Sequence, residues 1–161
     1  MTAKNYNDCV TSHADNVYRF IYKNLGHEED AKDIIQQSFE KLWIHREEVE
    51  EEKAKSYLFT VAYRCMIDHI RKSKRLVFGQ DMAENNSATE QNPFATKRIL
   101  EESLATLNEQ QRVLVMLKDY EGYSYEEIGT ITGLNPSQVK VYLHRARLSM
   151  RNYIVKYENI L

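Results

Sequence analysis

The chain has 161 residues, 42% of them hydrophobic, with five glycines, two prolines and a net charge of -2. That length allows one ordinary domain or two small ones, and so little proline and glycine favours helices over a β-rich fold. A charge near neutrality excludes a generally basic nucleic-acid binder, and no apolar run reaches the roughly 20 residues that span a bilayer. The first residues, Met1 to Asn5, lack the apolar core of a signal peptide, so the expected location is cytoplasmic.

The charge is segregated along the chain. Arg64 to Arg75 holds five basic residues against Asp68, whereas Glu47 to Glu52 holds five acids and no base. Two basic patches on a nearly neutral protein point to DNA binding at two places, weak without a partner.

Tyr6 to Leu25 reads as a helix whose apolar stripe is Val10, Ala14, Val17, Ile21 and Leu25, with Phe20 beside it; Gly26 ends it. Glu28 to Trp43 is a second helix. Its first turn carries Glu28, Glu29 and Asp30, where the helix dipole favours acids. Ala31, Ile34, Ile35, Ser38 and Leu42 face the core, and Asp33, Gln36, Gln37, Glu40 and Lys41 do not. Glu29, Asp30 and Asp33 could in principle act as an acid-base or metal cluster. No histidine or second carboxylate cluster is clearly spaced to complete such a site, so a dipole-complementing turn is the commoner assignment. His45 to Lys53 is a hydrophilic loop or helix end.

Ala54 to Arg75 is a third helix with a broad apolar face: Leu58, Val61, Ala62, Cys65 and Ile70, with Phe59, Met66 and Ile67. Its end turns basic. Tyr57, Phe59 and Tyr63 lie just upstream of those cations, a combination that single-stranded DNA surfaces use. Core aromatics followed by cations at a helix C-terminus account for the periodicity slightly better. Leu76 to Asn92 then loses periodicity and reads as a linker, about 20–25 Å across as a coil.

Beyond it, Phe94 to Leu107 is a helix carrying Ile99, Leu100 and Leu104. Asn108 and Gln111 form a capping box for the next, which runs to Tyr120 and buries Val113, Leu114, Met116 and Leu117 before Glu121-Gly122 breaks it. Ser124 and Glu127 make another capping box. Gly133 falls where a helix C-cap needs a left-handed residue, Asn135 caps the next helix and Pro136 suits its first turn. Short helix, tight turn and longer helix make a helix-turn-helix.

The last helix buries Val139, Leu143, Ala146 and Met150, a stripe continued by Tyr153 and Ile154. Ser137, Gln138, Val141, His144 and Arg145 point the other way, flanked by Lys140 and Arg151. From Pro136 to Tyr157 there are five Lys or Arg and no acid. Short polar residues near a helix N-terminus, framed by cations, suit a major groove. A solvated helix at the end of a bundle is the plainer alternative.

Cys9 and Cys65 each have a histidine four residues on, His13 and His69, which together have the ligand types of a zinc site. The C-x-x-C knuckle of many structural sites is missing, so two reduced thiols are expected, with no metal and no cofactor.

Three stretches, in order, resemble the small extracytoplasmic-function group of bacterial RNA polymerase sigma factors, in the sigma-70 family. Asp30 to Trp43 resembles the helix those factors place on the polymerase clamp. Tyr57 to Lys72 is similar to the segment that melts and reads the -10 element. Leu107 to Arg112, Tyr123 to Ile128 and Val139 to Arg147 resemble the -35-reading domain. Where the family usually has Asn, four residues before the position of Asp68, this protein has Arg64, which bears on base preference at the -10 element.

The resemblance implies an all-α protein of two small domains: 1–75, gripping polymerase and the -10 element, and 94–161, a helix-turn-helix for the -35 element. A flexible linker, 76–93, joins them. It implies polymerase contacts at Asp33, Gln36, Gln37 and Glu40, and -10 contacts at Tyr57, Tyr63, Arg64, Arg71 and Lys72. It implies -35 contacts at Ser137, Gln138, Lys140, Val141, His144, Arg145 and Arg151, with Arg112, Ser124 and Tyr125 on the DNA backbone. The implied partners are core RNA polymerase, promoter DNA and an anti-sigma factor, often membrane-bound; no small-molecule substrate and no catalytic site are implied. A stand-alone helix-turn-helix regulator with a helical dimerisation or ligand domain is the alternative.

Overall fold

A computed structural model describes residues 1–76 and 95–160, with side chains left out at 75, 76, 95 and 158–160. Every regular element among the described residues is helical, and the protein divides into two compact units.

The first unit packs α1 (Ala3–Leu25), α2 (Glu28–Ile44) and α3 (Ala54–Leu76) against one another. α1 starts three residues before the expected Tyr6, because the Thr2 hydroxyl accepts from the Asn5 N–H at 3.1 Å and caps it. Gly26, at φ 70°, ends it in the left-handed conformation that glycine adopts without a Cβ clash. One residue on, His27 caps α2: its Nδ1 accepts from the Asp30 N–H at 3.3 Å. The core is Val17, Phe20, Ile21, Ala31, Ile34, Leu42, Leu58, Phe59, Ala62 and Met66. Phe20 and Phe59 meet edge to face, 5.4 Å between ring centres, a geometry worth about 0.5–1.5 kcal/mol beyond area burial. Ser38, fully buried on α2, donates to the Ile34 carbonyl at 2.8 Å. Ile35, Ile67 and Ile70, expected in the core, are only half-buried at its margin.

α3 runs through Leu76, and the rest of the expected linker, 77–93, lies outside the described residues. The second unit comprises α4 (Ala95–Ala105), α5 (Glu109–Val115), α6 (Tyr125–Thr132) and α7 (Pro136–Ile160). Phe94, the expected start of α4, is also outside the described residues. The α5 capping box forms as expected: Asn108 Oδ1 accepts from the Gln111 N–H at 2.8 Å and Gln111 Oε1 from the Asn108 N–H at 3.3 Å.

The helix expected to continue regularly to Tyr120 instead widens over Met116–Tyr120 into a π-type turn, where the Glu121 N–H reaches back five residues to the Met116 carbonyl at 3.1 Å. Leu104, Leu107, Val113, Leu114, Met116, Leu117, Ile128, Ile131, Val139, Leu143 and Ala146 form the core. Leu100, expected to share the α4 apolar face, is 39% exposed.

Candidate nucleic-acid and polymerase interfaces

The helix-turn-helix is held by backbone chemistry before any packing. Ser124 Oγ accepts from the Glu127 N–H at 3.1 Å and Glu127 Oε1 accepts from the Ser124 N–H at 3.0 Å. Those bonds hold the Glu127 carboxyl below the usual carboxylate range, the bond from the Ser124 backbone N–H contributing most. Gly133 closes α6 at φ 82°, its N–H on the Gly129 carbonyl at 2.8 Å. A Cβ on Gly129 would sit 2.6 Å from the Leu134 carbonyl oxygen, so the turn folds back too closely for any side chain there. A second capping box starts α7: Asn135 Oδ1 accepts from the Gln138 N–H at 2.8 Å, and Gln138 Oε1 accepts from the Asn135 N–H at 3.0 Å. Gln138, expected only as a groove-facing residue, thus carries a structural task as well.

Val139, Leu143, Ala146 and Met150 are buried, as the stripe on α7 requires. Ser137, Gln138, Lys140, Val141, His144, Arg145 and Arg151 are all exposed. Ser137, Val141, His144 and Arg145 stand opposite the buried stripe, so tertiary packing leaves one continuous polar and cationic face. Arg145 leans over the Tyr142 ring, with Cζ 6.0 Å from its centre.

The three residues expected on the DNA backbone differ in their surroundings. Ser124 spends its hydroxyl on the α6 cap. Tyr125 is half-buried, with Lys118 Nζ 4.9 Å above its ring. Arg112 is turned inward: Nε donates to the Leu104 carbonyl at 3.2 Å, and NH2 donates to those of Ala105 at 3.2 Å and Leu107 at 2.7 Å. Burial holds its guanidinium pKa below the usual arginine value, only partly offset by Glu109. These three carbonyls belong to the end of α4 and the turn after it, so the Arg112 guanidinium closes the C-terminal end of that helix. Sequence spacing gives no signal for this, because the partners lie five to eight residues back across a turn.

In the first unit, Asp33, Gln36, Gln37 and Glu40 are exposed on one face of α2. That face continues into two apolar side chains, Trp43 at 39% and Ile44 at 69% exposure. Arg46 lies over the Trp43 ring at 3.9 Å and Tyr6 meets it edge to face at 4.9 Å. Trp43 falls on the polar side of the α2 helical wheel, a sequence signal for an apolar contact, and α2 runs one residue past the expected Trp43 to place Ile44 on the same side.

On α3, Tyr57, Arg64 and Arg71 repeat every seven residues and share a stripe; Tyr63 and Lys72 lie to its two sides. Arg64, Arg71 and Lys72 are exposed, and Tyr57 and Tyr63 are half-buried. Phe59, grouped with them in the sequence, is wholly buried against Phe20 and offers no stacking surface. Tyr57 also lines a cavity of about 500 Å³ together with His45, Glu48, Val49, Glu50 and Lys53.

The carboxylate cluster at the start of α2 is more engaged than its spacing suggests. Asp30 Oδ2 lies 3.0 Å from His69 Nε2 on α3 and 3.3 Å from His27 Nδ1. Tertiary packing thus supplies His69, thirty-nine residues away, whereas His27 is a local partner three residues before Asp30. No group of three or more His, Cys, Asp or Glu that could hold a metal occurs among the described residues. Cys9 and Cys65 are buried free thiols; burial raises the Cys9 pKa, and Lys41 Nζ lies 3.6 Å from Cys65 Sγ.

Family models for sigma-70 region 2 and sigma-70 region 4 match residues 9–76 and 97–150. The RNA polymerase sigma factor SigV of Bacillus subtilis is 31% identical over 150 residues, covering 92% of this chain and 90% of that protein. The chain belongs to the sigma-70 family of RNA polymerase sigma factors, in its extracytoplasmic-function group.

Membership makes this sigma factor a transcription initiation factor that directs RNA polymerase to promoters. The extracytoplasmic-function sigma factor SigE of Mycolicibacterium smegmatis is 28% identical over 163 residues, 96% of this chain but 63% of that protein's length. The fold matches the sigma factor RpoE of Bartonella quintana, solved with the anti-sigma factor NepR, at a TM-score of 0.76 and 21% identity, over 94% of this chain and 98% of that one. CnrH, solved with the cytosolic domain of CnrY, matches at 0.66 and 18% identity, over 94% of this chain and 88% of that one. The α2 and α3 interface residues fall within the region 2 match. Those of α5, α6 and α7 fall within region 4, except Arg151, one residue past its end.

Proposed function

We propose that this sigma factor divides its work between its units as residues 1–75 for polymerase and the -10 element, and 94–161 for the -35 element. The supporting observation is α7. Its apolar stripe is buried in a helix-turn-helix, which leaves Ser137, Val141, His144 and Arg145 facing out between the cations Lys140 and Arg151. Ser137, Gln138, Val141, His144 and Arg145 read base edges of the -35 element in the major groove, and Lys140 and Arg151 hold the phosphates beside it. Tyr125 and Ser124 lie at the phosphates beside them; Arg112 supports the domain from within.

On α2, Asp33, Gln36, Gln37 and Glu40 contact core RNA polymerase, and Trp43 and Ile44 anchor the end of that contact. Exposed aromatics with polar residues around them are the side chains that most often carry interface energy. On α3, the Tyr57-Arg64-Arg71 stripe with Tyr63 and Lys72 takes the melted -10 strand: rings stack on bases and cations track phosphates. The cavity beside Tyr57 offers an unstacked base both a ring face and the carboxylates of Glu48 and Glu50 as acceptors.

The protein performs no catalytic step of its own, takes no small-molecule substrate and works in the cytoplasm. No described helix is long and apolar enough to cross a membrane, which accords with that location. The fold shared with RpoE and CnrH supports an anti-sigma factor, membrane-bound or not, as a third partner. Run-off transcription with core polymerase, with and without this protein, tests the proposal on candidate promoters. Promoter-specific transcripts that require both components are expected. Tight binding of the protein alone to a palindrome, with no effect on transcription, would point instead to a stand-alone regulator.

A further inference from the structure

Three cations line one flank of α7 at spacings of seven and four: Lys140, Arg147 and Arg151. They lie beside the DNA-facing residues and are well placed to follow a phosphate strand. The middle one is not available. Asp119, from the π-type turn after α5, takes Arg147 with both carboxylate oxygens: Nε donates to Oδ2 at 3.2 Å and NH2 donates to Oδ1. This fork-to-fork contact is the geometry in which arginine and carboxylate fit best. The acid comes from another element, while α7 itself carries no acid between Pro136 and Tyr157. Its side chain is 37% exposed and that of Arg147 is 46% exposed, so the pair sits at the surface. Exposed pairs contribute little to stability, which makes folding a weak reason for it.

Its electrostatic consequence is larger. Each cation that neutralises a phosphate strengthens binding to every DNA sequence alike and steepens the salt dependence by about 0.9 in log-log slope. A free Arg147 would therefore raise affinity for bulk DNA without adding base recognition. On the premise, proposed above, that α7 faces DNA, we propose that Asp119 is a specificity-determining positioning residue: it withholds Arg147 from the phosphates and so keeps non-specific DNA binding weak. Asp119 acts in two ways. It occupies two of the guanidinium donors, beside a further contact from the Tyr125 side chain, and it sets a negative charge where a phosphate would approach.

The test measures binding of the full-length protein to a fluorescent random-sequence duplex, by anisotropy, over about 50 to 200 mM salt. Asp119→Asn is expected to steepen the slope by about 0.9 and to tighten binding about tenfold at the low-salt end. Asp119→Glu keeps the wild-type slope, as does Asp119→Asn combined with Arg147→Met. Arg147→Met alone also leaves the slope unchanged, because a withheld arginine has no phosphate contact to lose; this variant decides the matter if Asp119→Asn fails to fold. A flatter slope in Arg147→Met, or no change in a folded Asp119→Asn, overturns the proposal. Lys140→Ala separates the premise from the inference. A slope flattened by about 0.9 upholds α7 as the DNA face, whereas an unchanged slope removes that premise and the proposal with it.

Discussion

Arg112 gives the sharpest separation between a DNA contact and a structural one. Its guanidinium makes three hydrogen bonds to carbonyls at the end of α4 and the following turn. Arg112→Met keeps most of the aliphatic stem and removes every donor, leaving those carbonyls to water. A charge-assisted bond contributes about 1.5–3 kcal/mol, but this guanidinium is partly desolvated and all three acceptors can rehydrate, so the net loss is about 2 kcal/mol rather than the sum. For a unit of this size that corresponds to a fall in Tm of about 8–16 °C. The assay uses two probes. Far-UV circular dichroism follows the helices of both units, whereas the fluorescence of Trp43, the protein's one tryptophan, follows the first unit alone. Arg112→Met should lower the part of the dichroism transition that Trp43 does not report, and leave the salt slope of DNA binding unchanged. An unmoved transition together with a slope flattened by about 0.9 would refute the capping role and return Arg112 to the phosphates.

If Arg145 is bidentate to guanine, Arg145→Ala costs about 1–3 kcal/mol of discrimination at one base pair in competition binding by the polymerase-bound factor; an equal loss on all sequences would make it a phosphate contact. Asp33→Ala with Gln36→Ala should weaken co-purification with core polymerase while leaving the circular dichroism spectrum intact, and undiminished co-purification would remove that assignment. Phe59→Ala deletes a ring packed on Phe20 in the first core and should destabilise that unit by about 3–5 kcal/mol, seen as an earlier Trp43 transition. The depressed pKa of Glu127 means that its ionised form favours the folded state. Its contribution is complete above the ordinary value of 4.5 and is lost as pH falls through the lower folded value, so Glu127→Gln should flatten the acid limb of the second unit's Tm against pH. Equal limbs in the two proteins would remove the cap from that explanation.

Much of this protein is local in origin, and local features are what a sequence displays. Helix periodicity, the Ser124–Glu127 and Asn108–Gln111 boxes and the left-handed Gly133 involve partners within four residues, so their spacing alone determined the helices, the helix-turn-helix and the stripe Val139-Leu143-Ala146-Met150. The polar face of α7 followed, because burying one stripe leaves its opposite outside. Other features depend on which elements touch, and spacing carries no such information. Phe59 looked like part of an aromatic surface until Phe20 from another helix covered it. Asp30 gained His69 from α3, thirty-nine residues away. Arg112 on α5 and Arg147 on α7 are both cations of the second unit, yet tertiary contacts give one to the α4 carbonyls and the other to Asp119. A residue's charge is written in its type. Whether that charge remains available is decided by the donors and acceptors that folding brings within about 3 Å of it.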